Sequence, residues 1–311
     1  MPFLGVDPWR WQYFEGQAVP DGIVIPIDDA TAWELYPAHR WVYNKLLICE
    51  TQGLPHGPHG TMPRHYPVFS KPIYNMRGMG TGGGVIATEA DYLAALQPGH
   101  LWMPLFTGRH VSTDVALVAG RPRWWRHTTG EPRPGGTFDY WTVHADPDPM
   151  LEDYLGAWVA RHLAGFSGIV NFETIGGRIV ECHLRMAEQW LDLNGPGWLA
   201  AVVGLYAGEG WRFAERERRE GFSVVLFGEH EVRWRIDRRA VRRYLDDPEI
   251  SSIQITFEDD VAPEHHAMPP GGFRLAIVNC WGLAAGRAVR EELRRLFDAG
   301  AGAARAAGNA Q

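Results

Sequence analysis

The sequence predicts an α+β fold with mixed sheets, on three observations. Apolar runs of strand length flank glycine-rich turns, as in Tyr66–Pro72 before Gly78–Gly84 and Ile169–Glu173 before Gly176-Gly177. Helical patterns with recognisable start and stop residues fall between these strands. The fourteen tryptophans scatter without a repeat period, which excludes a solenoid or propeller.

In chain order, Gly22–Ile27 reads as the one strand of residues 1–35, and a helix spans about Pro37 to Gln52, stopped by Gly53. Pro55, Pro58 and Pro63 mark a loop before the strand at Tyr66–Pro72. After Gly78–Gly84 the chain returns as a strand at Val85. Thr88 caps a helix Glu89–Leu96, with Asp91 at its third position. Strands follow at Leu101–Phe106, His110–Val118 and Arg123–Arg126, then a Pro/Gly-rich connector to Asp148 and a helix Leu151–Ala164. Ile169–Glu173 and Arg178–His183 form a hairpin. Beyond it come a helix at Trp198–Tyr206 and strands at Phe222–Phe227 and Ile253–Phe257. Arg274–Val278 and Ala284–Phe297 make a last strand–helix unit that folds back on a small sheet. The Ala/Gly tail from Gly300 has nothing to bury and is expected to be unstructured.

At 311 residues the chain can hold more than one core. A net charge of −7 gives no electrostatic reason to expect nucleic acid. Three widely spaced cysteines suit neither a disulfide framework nor a zinc site. No apolar run reaches membrane-spanning length and no leader pattern opens the chain, so a cytoplasmic protein is expected.

Two constellations carry chemistry. Lys71 lies on a strand that leads into Gly78–Gly84, where five of seven residues are glycine. Glycines let backbone N–H groups crowd phosphate oxygens, and the lysine adds a point charge. Neither the Gly-Lys-Ser/Thr ending of a Walker loop nor the helix of a dinucleotide fingerprint follows, and a mobile hairpin with an incidental lysine would look the same. The second is the hairpin itself. Alternation puts Asn171 and Glu173 on one face of the first strand, and Glu181, His183 and Arg185 on one face of the second. Should the faces coincide, carboxylate and amide oxygens gather in a way that suits Mg²⁺. His110 and His127, beside Arg109 and Arg126, are as single residues better read as structural. His265-His266 beside Asp259-Asp260 lacks the spacing of a metal site.

Taken in order, these segments resemble the ATP-grasp superfamily of carboxylate–amine ligases, nearest the biotin-carboxylase and carbamoyl-phosphate-synthase branch, over about Tyr43 to Gln189. The resemblance rests on Asn44-Lys45 before Gln52-Gly53-Leu54-Pro55, the Val68–Pro72 strand, the glycine loop and the hairpin. It implies two subdomains clasping a nucleotide cleft: a reduced N-terminal segment 1–40, a small subdomain 41–106, a large subdomain 107–215, a C-terminal extension 216–299 and the tail 300–311. By resemblance, Lys45, Lys71, Gly78, Gly80, Thr81, Gly82 and Gly83 hold ATP phosphates, Met103 and Leu105 face the adenine, and His110 approaches the ribose or phosphates. Glu181 and either Glu173 or Asn171 hold Mg²⁺ or Mn²⁺, while Arg185, His127 and His183 face the transferred phosphoryl group. His183 stands where the family places asparagine, and Trp102 where the hinge is usually acidic.

The activity so implied is an ATP- and Mg²⁺-dependent ligase that makes an acyl-phosphate from a small-molecule or peptide carboxylate. The alternatives are a nucleotide-binding or regulatory protein that has lost turnover, and an unrelated α+β binder with a mobile loop. A homodimer is left open.

Overall fold

The structure, a computed structural model, describes residues 3–4, 12, 14–76, 80, 82–133, 137–229, 232–257 and 273–308. Gly78, Thr81, Asp259-Asp260 and His265-His266 lie outside the described residues.

A short parallel pair, β1 (Phe3–Leu4) and β2 (Ile25–Pro26), opens the chain. Helix α1 (Asp29–Leu35) follows, where no helix was expected; the Asp28 side chain caps it by accepting the Thr31 N–H at 2.7 Å. The helix predicted over 37–52 is divided. Arg40–Tyr43 is a 3₁₀ turn, and α2 (Lys45–Thr51) starts afresh after Asn44, whose side chain accepts the Leu46 N–H at 3.0 Å. Asparagine competes for backbone donors inside a helix, so it divides the segment and becomes a cap.

Four strands form the smaller sheet: β3 (Gly57–Pro58), β4 (Val68–Pro72), β5 (Gly84–Ile86) and β6 (His100–Pro104), in the order β3-β6-β4-β5. Helix α3 (Glu89–Ala94) has the expected Thr88/Asp91 capping box. The glycine loop therefore joins the antiparallel neighbours β4 and β5.

The larger sheet has eight strands. They are β7 (His110–Val118), β8 (Arg121–Arg133), β9 (Thr137–Val143), β10 (Gly168–Ile175), β11 (Arg178–His183), β12 (Gly221–Gly228), β13 (Ile250–Ile255) and β14 (Phe273–Cys280). Their order is β11-β10-β7-β8-β9-β12-β14-β13, antiparallel throughout. Helices α4 (Pro149–His162), α5 (Trp198–Tyr206), α6 (Arg238–Val241) and α7 (Leu283–Gly308) accompany it.

Three expectations are corrected here. The connector after Arg126 is strand: β8 continues to Arg133 and β9 begins at Thr137. Aromatic burial outweighs the local Pro/Gly signal, since Gly130 leaves the room that the Phe138 ring fills. The terminal unit does not fold onto a small sheet, because β14 lies inside the large one, between β12 and β13. That sheet crosses residue 215 without interruption. Helix α7 runs to Gly308, so residues 300–308 are helical, in keeping with the high helix propensity of their alanines.

Alternation along β7 sorts the large sheet's faces. Val111, Val115 and Leu117 pack with Leu155, Trp158 and Val159 of α4. The other face carries Ser112 and Asp114 and, farther along, Ala116 under Trp198 of α5. Edge strand β11 is closed by Gln52. Its amide donates to the Ile179 carbonyl at 2.8 Å and accepts the Ile179 N–H at 3.0 Å.

Candidate active site: a charged cleft between the two sheets

Gly176 and Gly177 turn β10 into β11 in two residues, both at positive φ (56° and 76°), a conformation that glycine adopts without strain. The turn sets a register in which Glu173 faces Glu181 and Asn171 faces His183. Cross-strand partners share a face, so the two polar faces coincide.

Across from this hairpin stands β4. Lys71 Nζ lies 3.1 Å from Glu181 Oε1 and donates to the Val180 carbonyl at 2.9 Å. Lys45, the first residue of α2, brings its Nζ to 3.8 Å from the same oxygen. Both lysines are buried. Burial lowers the Lys45 pKa, against the opposing pull of Glu181. Burial works to raise the Glu181 pKa, but Lys71 and Lys45 outweigh it and hold the carboxyl well below its ordinary value. Glu173 sits 3.2 Å from His110 Nε2. Burial opposes charge on both, and their hydrogen bond overrides it, lowering the acid and raising the histidine.

The third group is centred on a residue the sequence did not single out. Asp29, at the start of α1, receives His183 Nδ1 at 3.0 and 3.1 Å and Arg185 Nη2 at 3.0 Å. Burial disfavours its charge, yet Arg185 and His183 hold it far below the usual carboxylate range. Burial alone would lower His183; Asp29 prevails and the pKa is pushed up to about 9. His183 Nε2 points at Glu181 Oε2, 3.5 Å away. Each lysine or arginine cluster thus holds more cationic than anionic groups, an arrangement that favours an incoming polyanion.

Other expected residues are placed differently. Asn171 is turned to the sheet: its Nδ2 donates to Ser112 Oγ and Asp114 Oδ1, both at 2.9 Å. Asp114 also accepts the Ala187 N–H at 2.9 Å, and burial raises its pKa to about 6. His127 lies on the opposite face of the large sheet. There Nδ1 meets Thr113 Oγ1 at 2.9 Å and Nε2 meets Glu152 of α4 at 3.1 Å. One-residue alternation separates it from the cleft, so it does not join the phosphoryl-facing group. Met103 is buried with Leu101, Cys49 and Val180 between the sheets, and Leu105 is half-buried just past β6. Trp102 faces the other side of the smaller sheet, buried with Val68, Ile86 and Tyr92, and donates to the Thr61 carbonyl at 2.7 Å. Gly82 and Gly83 lie along β4, beside Pro72, His100 and the Phe69 ring, and Gly80 accepts the Gly83 N–H at 3.1 Å.

Asp29 had a signal. Asp28-Asp29 before Ala30-Thr31-Ala32-Trp33 is a helix start, with the first acid as cap. What no local pattern shows is its pairing with residues 154 and 156 positions away.

A four-stranded sheet, clasped against a larger sheet whose acidic hairpin meets two buried lysines, defines a class of two-sheet cleft architecture. No family model and no curated protein sequence matches the chain. Solved structures do. Phosphoribosylamine–glycine ligase from Thermotoga maritima superposes with a TM-score of 0.61 at 13% identity, over 90% of this chain and 84% of that one. Carboxyaminoimidazole ribonucleotide synthase from Aspergillus clavatus, complexed with ATP, gives 0.60 at 12%, over 85% and 75%. L-amino acid ligase from Bacillus licheniformis gives 0.58 at 12%, over 93% and 82%. The chain has the ATP-grasp fold.

Proposed function

We propose that this chain is an ATP- and Mg²⁺-dependent ligase, with Mn²⁺ as an alternative ion, that activates a small-molecule or peptide carboxylate for attack by an amine. One observation carries the reading: Lys45 and Lys71 reach the Glu181 carboxylate from the opposite wall of the cleft, with Glu173 directly across the hairpin. The residues fit a magnesium ion. Among the described residues no three His, Cys, Asp or Glu side chains form a metal cluster. Magnesium, however, binds through one or two carboxylates while phosphate oxygens and water complete its shell. Glu181 and Glu173 would hold it, and it would neutralise charge on the transferred phosphoryl group.

The protein's own part is positioning and charge stabilisation. Lys45 and Lys71, neutralised by Glu181 in the free cleft, would turn to triphosphate oxygens. The substrate carboxylate oxygen would attack the γ-phosphorus, and the bridging oxygen would leave with ADP. Arg185, aimed by Asp29, would face the acyl-phosphate; the amine nitrogen would attack the acyl carbon, phosphate would leave, and the nitrogen would lose its proton to water.

ADP release with ATP, Mg²⁺ and a panel of carboxylates and amines tests this. Wild-type protein should release ADP only with a productive pair, and Glu181→Gln, verified as folded, should lose at least about 100-fold in rate. Release that is indifferent to Glu181→Gln overturns the assignment. The commitment of Asn171 to Asp114 and of His183 to Asp29 favours a second reading, a nucleotide binder without turnover. It predicts ATP binding sensitive to Lys71→Ala and no ADP release with any pair.

A further inference from the structure

Outside the charged cleft lies a groove of about 490 Å³ lined by Ala30, Trp33, Glu34, Tyr74 and Met76. Its size falls in the range of small-molecule sites. Two of its features tie it to the chemistry. The segment Tyr74-Asn75-Met76 alternates: Tyr74 and Met76 line the groove, while Asn75 lines a small inner cavity with Lys45, Tyr43, Glu181 and His183. Helix α1 does the same, sending Asp29 inward to His183 and Arg185 and Ala30, Trp33 and Glu34 outward. A line of rings connects the two spaces, from His183 to Tyr43 (6.4 Å), Tyr43 to Trp33 (5.9 Å) and Trp33 to Tyr74 (5.7 Å, edge-on).

The walls are aromatic and aliphatic, and Tyr74 is 47% exposed. Among the described residues, the charged side chain lining the groove is Glu34; Arg40 stands over the Trp33 ring, 5.0 Å from its centroid. A carboxylate beside π-rich walls attracts an organic cation and repels an anion. Of the two substrates of an amide-forming ligase, one is an anion and the other is carried as a cation.

We infer that this groove binds the amine substrate, an alkyl or arylalkyl amine whose ammonium pairs with Glu34 while its carbon frame lies against the Trp33 and Tyr74 rings. That this amine then leaves Glu34, gives up a proton to water and enters the cleft as the nucleophile rests on the ligase reading; that the groove selects an amine rests on the groove alone. The carboxylate substrate goes to the inner side, where Arg185 and His183 supply donors.

Three probes sharing one phenyl body separate charge from shape: 2-phenylethylamine, 2-phenylethanol and 3-phenylpropanoate, titrated calorimetrically into the full chain without nucleotide. The amine should bind about fivefold tighter than the alcohol, and the acid more weakly than either. Glu34→Gln should erase the preference for the amine, and Tyr74→Ser should weaken amine and alcohol together. Both substitutions are at exposed side chains, so the fold is retained. Equal or tighter binding of the acid, a preference untouched by Glu34→Gln, or no binding of any probe overturns the proposal. Adding ATP, Mg²⁺ and the carboxylate panel then reads the ligase separately. Binding without turnover sinks the ligase reading and leaves the groove an amine site.

Discussion

Asp29 shows how one buried carboxylate orients two cations. An isolated charge inside a protein costs several kcal/mol, so its persistence requires the imidazolium and guanidinium that flank it. His127 shows the opposite outcome for a residue that sequence resemblance placed in the site. Its neighbour Arg126 spends its guanidinium on the Leu193 and Arg219 carbonyls, at 3.2 and 2.6 Å, so the Arg126-His127 pair is structural on both faces. Burial lowers the His127 pKa, against Glu152. The unfolded chain therefore takes up a proton on this histidine before the folded one does. Stability is full above the ordinary histidine pKa near 6.5 and declines as pH falls through it. Urea titrations at a series of pH values should show that decline, and His127→Gln should flatten it. The same variant should keep ADP release within about twofold of wild type, because its side chain is on the far face; a loss of tenfold or more would put His127 back in the reaction.

At the scale of elements, the sequence was most legible where a local rule was sufficient. The β10–β11 hairpin and its two-glycine turn followed from local pattern, and β7 and α5 fall at their expected bounds; the register then brings Glu173 and Glu181 to one face, which alternation alone left open. The Thr88 cap was equally local; Thr88→Ala should cost about 1 kcal/mol in thermal or urea unfolding. Legibility failed where tertiary packing decided. Strand β9 is held by Trp141 against Trp190 at 5.1 Å, a partner that no window of adjacent residues contains. The cysteines, read only by count, gain meaning from burial. Desolvation pushes Cys49 up to about 11 and Cys280 up to about 12, so both remain protonated thiols at neutral pH. Mass spectrometry after N-ethylmaleimide treatment at pH 7.5 should show neither alkylated in the folded protein and both in urea.

Across the whole molecule, the ion pairs of Glu181 join the smaller sheet and α2 to the edge of the larger one. Removing one partner of a buried pair leaves the other uncompensated, whereas removing both exchanges charge for packing. Glu181→Gln should therefore destabilise the chain by about 2–3 kcal/mol, and adding Lys71→Met should recover part of that loss in urea titrations. A double variant less stable than the single one would mean that Lys71 carries no penalty when left unpaired and stabilises the junction without Glu181. The lysines and carboxylates of the charged cleft were readable from the sequence because they sit in ordered motifs. The groove beside it was not, because α1 and Tyr74–Met76 become neighbours only through folding.

The Gln52 amide has a wider consequence. By matching both the N–H and the C=O of Ile179, one side chain acts as a ninth rung and stops the ladder at β11. An open edge invites a foreign strand, and a one-residue slip would swing the Glu181 carboxyl to the wrong side of the pleat. The Glu181 carboxyl thus keeps its orientation through an end-stop that carries no charge.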